Sequence, residues 1–174
     1  VPLMECRHSV FSVMHKVSGK IELNGRKLDF DSGTGYIEGD RGCSFPKRYL
    51  WSQCLHGDIS LMLSVAEIPF MGFRFTGIIG IVNIGGQEYR IATYLGAKPV
   101  FVGSGAAVIR QRGYSLAVQK IDGKGELLAA PLKGAMSRRI HESISSSVRF
   151  RFSRGKSVLF DFTDDHASFE DEYL

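Results

Sequence analysis

The chain of 174 residues is poor in cysteine, tryptophan and proline, and it contains no long apolar run. Its three cysteines (Cys6, Cys43 and Cys54) form an odd set at irregular spacing, which suits neither a disulfide framework nor a zinc site. Free, buried thiols in a reducing, cytoplasmic compartment are the expectation, with no metal and no cofactor. The histidines supply no His-x-His or His-x-x-x-His pair, so they offer no ligand spacing either. No apolar stretch comes near the roughly 20 residues that cross a bilayer as a helix. The start, Val1-Pro2-Leu3-Met4, has no basic segment ahead of an apolar core, so no secretory signal is expected, and without a methionine at position 1 it reads as a piece of a longer chain. Helical periodicity is missing too: no segment longer than about ten residues repeats its apolar positions at the 3.6-residue period.

Acidic residues are scarce over most of the length. Six of the 18 acids lie after residue 160, where there is no Lys or Arg, so residues 1–160 carry 22 basic against 18 − 6 = 12 acidic groups, a balance of +10. Such a bias favours anionic partners, and peripheral contact with a membrane surface is one expectation. The basic residues come as scattered pairs, Arg26-Lys27, Lys47-Arg48 and Arg138-Arg139, not as a run interleaved with aromatics. A solvated surface and no nucleic-acid partner follow.

What is present is strand-forming. The 20 glycines and 12 phenylalanines suit many turns between aromatic-rich strands. Glu5 to His15 alternates as a strand, with His8 and His15 on opposite faces by parity. Lys20 to Phe30 is the clearest hairpin, because Asn24-Gly25 supplies the two positive φ angles of a type I′ turn. Ile21, Leu23, Leu28 and Phe30 would form its apolar face. Ile59–Pro69 and Phe70–Ile84 read as two long strands, followed by Gln87–Tyr94, Val100–Val102, Ala106–Gln111, Tyr114–Gln119 and Glu126–Ala130. Pro131–Ser137 could hold one short helical turn. Ser147–Ser153 and Ser157–Thr163 make the last hairpin, with Val148, Phe150 and Phe152 turned inward. Ten or more short strands with Gly-rich turns mean an all-β barrel or sandwich with little or no helix, in one domain spanning 1–174.

The densest stretch runs from Gly35 to Cys54. In a strand, residues i and i+2 share a face, so Tyr36, Glu38 and Asp40 would point one way and Ile37 the other. Pro46 in Ser44-Phe45-Pro46 has no N–H for a ladder and breaks the strand. Tyr49, Trp51 and Gln53 would then share a face of the next strand. Two acids, three aromatics and an amide around one turn have the composition of a pocket. The runs Tyr36-Ile37-Glu38-Gly39-Asp40-Arg41-Gly42, Ser44-Phe45-Pro46 and Trp51-Ser52-Gln53-Cys54 resemble the signature of the tocopherol cyclase-like family, with Arg41 where that family usually has tryptophan. Weaker likeness continues at Met136–Ile140, Glu142-Ser143 and Ala167–Glu170. The resemblance implies an antiparallel lipocalin/calycin-like β-barrel, here the C-terminal half of a two-barrel protein whose N-terminal barrel half would be its partner. It also implies acid-catalysed ring closure of a prenylated aromatic or related lipid.

That chemistry needs a carboxylic acid kept protonated by burial or by a like-charged neighbour. Glu38 and Asp40, with Cβ atoms about 6–7 Å apart by strand spacing, would raise one another and act as catalytic acids. Tyr36, Tyr49 and Trp51 would wall the developing cation, Gln53 and Tyr36 would position the hydroxyl, and Glu170 is a further substrate-binding candidate because a barrel's last strand lies beside its first. The same acids could instead pair with Arg41, Lys47 or Arg48 and close the barrel's end. Three functions stay open: a cyclase, a non-catalytic barrel binding an apolar small molecule, and a supporting half-domain. Acids lining the interior would favour the first, a wholly apolar lumen the second, and a lumen plugged by Phe and Met side chains the third.

Overall fold

The structure is a computed structural model describing residues 5–70 and 72–173. Alternating runs rich in β-branched and aromatic residues become strands β1 (Cys6–Val17), β2 (Lys20–Leu23), β3 (Arg26–Asp29), β4 (Gly33–Gly42), β5 (Tyr49–His56), β6 (Ile59–Phe70) and β7 (Phe73–Ile84). They continue as β8 (Gln87–Ala92), β9 (Lys98–Gly103), β10 (Ala106–Gln111), β11 (Tyr114–Asp122), β12 (Glu126–Leu132), β13 (Ala135–Arg154) and β14 (Ser157–Asp171). A single 3₁₀ turn, Thr93–Leu95, is the only helical element among the described residues.

Several hairpins use the mirror-image turn that matches strand twist. Asn24-Gly25 takes φ of +51° and +76°, as that dipeptide predicts. Lys133-Gly134 does the same at +50° and +85°, so the helical turn expected within Pro131–Ser137 is instead the β12–β13 hairpin. The reason is local: Gly134 accepts positive φ freely, and the apolar residues on both sides pair across strands before a helix can nucleate.

The main sheet runs in the order β8-β7-β6-β5-β14-β13-β11-β10-β9, with β12 branching from β13. Every pairing is antiparallel. Side chains from nearly all these strands converge on one apolar core, including Leu50, Leu63, Val65, Ile91, Ile109, Leu116, Phe150, Phe152 and Phe169. A sheet whose end strand β8 and whose strand β10, next to the other end, reach the same core is rolled upon itself. Its interior holds packed aromatic and aliphatic side chains, with Tyr89, Tyr114, Phe152, Phe160 and Phe162 in contact in series, the Tyr114 and Phe152 rings stacked and the others tilted. Of the three interiors weighed from sequence, this packing is nearest to the one occupied by Phe side chains, which favours the supporting half-domain.

No backbone ladder joins the two ends of the roll. Gln111, at the end of β10, reaches across to β8: its amide accepts from Ala92 N–H at 2.9 Å and donates to the Arg90 carbonyl at 2.7 Å. One side chain thus reproduces a pair of ladder bonds. The Thr93 hydroxyl acts similarly just beyond β8, accepting from Ile78 N–H at 2.7 Å.

Two ribbons stand apart from the roll, β1–β4 and β2–β3. The second is a well-formed hairpin, yet Ile21, Leu23 and Leu28 are exposed and its apolar face meets no core. The first lies against the outer face of the sheet, where Ser60 of β6 donates its hydroxyl to the Val13 carbonyl of β1.

Candidate functional site

Period-two alternation divides β5 into two faces. Leu50 and Cys54 enter the apolar core, so Tyr49, Trp51 and Gln53 point outward, toward the side that the β1–β4 ribbon covers. On β14 the core residue Phe169 leaves Ser168 and Glu170 outward. Register then sets Glu142, Glu170, Trp51 and Ser64 in one row across β13, β14, β5 and β6. Glu170 belongs to the site because β14 pairs with β5. The reason expected from sequence, adjacency of last and first strands, does not hold, since β1 pairs only with β4.

From the ribbon, Tyr36, Glu38 and Asp40 share a face of β4, and Ile37 on the other is half exposed. The Tyr36 hydroxyl donates to Glu38 Oε2 at 2.6 Å. Between the two acids stands His8, whose Nδ1 is 3.0 Å from Asp40 Oδ1. Its Nε2 is 3.1 Å from Glu38 Oε2, an ion-pair distance at which the ring N–H is not aimed squarely enough for a hydrogen bond. Burial opposes the charge on His8, but the two carboxylates outweigh it and hold the imidazolium up to about 9. The cation answers a question that the sequence left open. Glu38 and Asp40 pair with neither Arg41, Lys47 nor Arg48, and they face a shared positive charge as well as one another.

The carboxyl whose proton the fold holds more tightly is Glu170. Burial pushes it up to about 7; the Tyr49 hydroxyl, donating at 2.7 Å, works against this, and the negative charges of Glu142, Asp40 and Glu38 reinforce it. Burial, with Glu38 and Asp40 near Tyr36 and Glu170 and Glu172 near Tyr49, pushes both hydroxyls well above the usual phenol range, so both remain donors. Two further donors, Trp51 Nε1 and Gln53 Nε2, are buried without a protein partner. An unpartnered buried donor costs about 1–3 kcal/mol, and here two stand on one strand face, on the strand that pairs with that of Glu170.

Arg138 fixes the turn that follows the ribbon. Its guanidinium donates to the carbonyls of Pro46 (2.5 Å) and Lys47 (3.0 Å), pairs with Glu172 at 3.1 Å and lies over the Tyr49 ring at 5.7 Å. Beside this turn is a largely apolar cleft of about 540 Å³, lined among others by Phe45, Pro46, Ile68, Pro69 and Leu132. Cys6 also lines it, and the Cys6 thiol is 3.7 Å from Asp40, so the cleft adjoins the acidic cluster. Among the described residues no set of His, Cys, Asp and Glu side chains is arranged to hold a metal ion.

The seven residues singled out from sequence lie on two surfaces, Tyr36, Glu38 and Asp40 on the ribbon and Tyr49, Trp51, Gln53 and Glu170 on the sheet, and the charges of Glu38 and Asp40 reach Glu170 to make one compartment. It lies between ribbon and sheet, however, and not inside the roll. His8 and Glu142 had no role assigned from sequence. Parity showed only that His8 does not share a face with His15; its position opposite Asp40 depends on a β1–β4 register that local pattern does not give.

No protein-family model matches the chain, and no curated protein matches it in sequence. Among solved structures it is similar to the crystal structure of kievitone hydratase from Nectria haematococca, with a TM-score of 0.52 and 12% identity. The likeness covers 95% of this chain but 53% of that one, so the chain spans about half the length of the enzyme it matches. What the two share is the fold, an all-β, antiparallel, lipocalin-like architecture.

Proposed function

We propose that the compartment beneath the ribbon is an acid–base site that protonates a carbon–carbon double bond in an apolar, oxygen-bearing substrate such as a prenylated aromatic. The observation that carries this reading is the Glu170 carboxyl. It is partly buried, held by Tyr49, raised to about 7, and accompanied on the neighbouring strand by two donors that lack a partner. A general acid works best with a pKa near the working pH.

In this reading Glu170 gives its proton to one alkene carbon, leaving a cation on the other. Glu38 and Asp40 stabilise that charge electrostatically, and the Trp51 face does so through its π system. Trp51 Nε1 and Gln53 Nε2 donate to the substrate's oxygen, and Tyr36 keeps Glu38 oriented. The substrate's own hydroxyl, or water, then captures the cation, and its proton returns to the Glu170 carboxylate. Capture by the hydroxyl is ring closure and capture by water is hydration. The similar structure carries the name hydratase, and both outcomes share the same first step. The apolar cleft beside Cys6 suits the substrate's hydrocarbon tail.

The test is incubation with a prenylated hydroquinone followed by mass analysis. Ring closure gives a product of unchanged mass without the alkene, and hydration a product heavier by one water. Glu170→Gln should abolish turnover while leaving binding intact. If the protein neither binds nor converts the probe, the supporting-half reading takes over, which is favoured by the chain's spanning about half of its structural neighbour.

A further inference from the structure

We infer that a second site, at the opposite end of the roll from the acidic compartment, binds a phosphate group. The β10–β11 turn at Arg112-Gly113 and the β13–β14 turn at Gly155 border a groove of about 620 Å³. Its lining includes Lys98, Arg110, Arg112, Tyr114, Ser115 and Ser153, and no carboxylate.

Three observations make this more than a basic patch. First, none of the three cations enters an ion pair among the described residues, although others nearby are neutralised. Arg149 and Arg151 share Asp161 at 2.8 and 2.9 Å, and Arg90 pairs with Glu88. Second, Lys98 and Arg110 are direct cross-strand partners in the β9–β10 register. Like charges placed directly opposite one another destabilise a sheet, and an anion bridging them reverses the sign of that interaction. The same row continues to Ser115 and Ser153, hydroxyl donors on the next two strands. Third, Arg112 is held at φ +45°, a left-handed conformation unfavourable to an arginine, which places a third cation in the lining of the groove.

Two forked guanidinium donors, an ammonium and two hydroxyls make up the donor set that phosphate oxygens accept, with arginine engaging two of them at once. Arg154 lies over the Tyr114 ring at 5.5 Å and adds to the positive field at that end. Because this groove and the acidic compartment share no residue, the inference is independent of the chemistry proposed above.

Calorimetric titration of the whole chain with inorganic pyrophosphate at low ionic strength tests the site. Saturable binding is expected, weakened at least tenfold by Lys98→Gln with Arg110→Gln. The exposed Arg26→Gln, on the β2–β3 ribbon, should leave it unchanged. The paired variants lie on the surface, and an unaltered melting temperature would show that they fold. Vesicles of phosphatidylcholine with phosphatidic acid form the second arm. Capture by those vesicles without pyrophosphate binding, lost in the same double variant, would support the site and assign the phosphate to a lipid headgroup. No binding in either arm, or equal loss with Arg26→Gln, would overturn the inference. Binding to duplex DNA alone would overturn it as well.

Discussion

Replacing Glu170 by glutamine should change how stability depends on pH more than it changes stability itself. The carboxyl has an ordinary value of 4.5 and is raised in the fold to about 7. The folded protein therefore binds this proton more tightly than the unfolded chain does. Below pH 4.5 both states hold the proton and the group contributes nothing. Between 4.5 and 7 the folded state keeps a proton that the unfolded state has released, so stability falls as pH rises. Above 7 the loss is complete. One pKa unit is worth about 1.4 kcal/mol, so a rise from 4.5 to about 7 corresponds to about 3 kcal/mol. Glutamine keeps the shape, and its carbonyl still accepts from Tyr49, but it never ionises. Chemical denaturation of both proteins across the pH range should show the variant gaining about 3 kcal/mol on the native protein between pH 4 and pH 8. Parallel curves would refute the reasoning, for they would mean that Glu170 titrates alike in both states and is not the raised acid of the site.

His8 should behave with the same sense for a different cause. Its imidazolium is raised from 6.5 to about 9, so its stabilisation is fully present below pH 6.5 and is lost as pH rises through 9. His8→Gln should therefore cost most near pH 6, up to about 3 kcal/mol by the same conversion, and least near pH 10. NMR titration of the ring should find the midpoint near 9. Thiol chemistry offers an independent check. Burial, with Asp40 beside Cys6 and Asp164 beside Cys54, pushes both thiols up to about 12, while Cys43 is exposed. Iodoacetamide at pH 8 should modify Cys43 in the folded protein and reach the other two only after unfolding; rapid native labelling of Cys6 would contradict its contact with Asp40.

Much of this architecture was legible because its signals are local. Asn24-Gly25 specified its turn, β10 spans the Ala106–Gln111 that alternation indicated, and Pro46 separated β4 from β5. Alternation also placed Tyr36, Glu38 and Asp40 on one face, and Tyr49, Trp51 and Gln53 on another. It did not show that these faces meet outside the roll, because a strand's two faces look alike until the core is known. Trp51 is as apolar as Leu50, yet Leu50 went to the core and Trp51 to the ribbon. Nor could spacing predict that β14 would run on to Asp171 and carry Glu170 alongside Trp51 and Glu142. Alternation marked the last strand only over Ser157–Thr163, and the pairing with β5 lies beyond it.

Gln111 has a consequence for the order in which the molecule assembles. The roll is completed at two joints of very different reach. Gln111 meets β8 only 19 to 21 residues back along the chain, whereas the β5–β14 ladder unites Gln53 with Ser168, 168 − 53 = 115 residues apart. Closing a loop costs more entropy the longer it is, and contacts between distant residues slow folding. The β8–β10 joint can therefore form early, from neighbouring hairpins, as a shallow open trough. The costlier closure is that of β14 against β5, and the same pairing brings Glu170 between Trp51 and Glu142. The raised acid of the site thus depends on the pairing of longest reach in the roll, so a change that loosens that distant joint would act on the acid as well as on the scaffold.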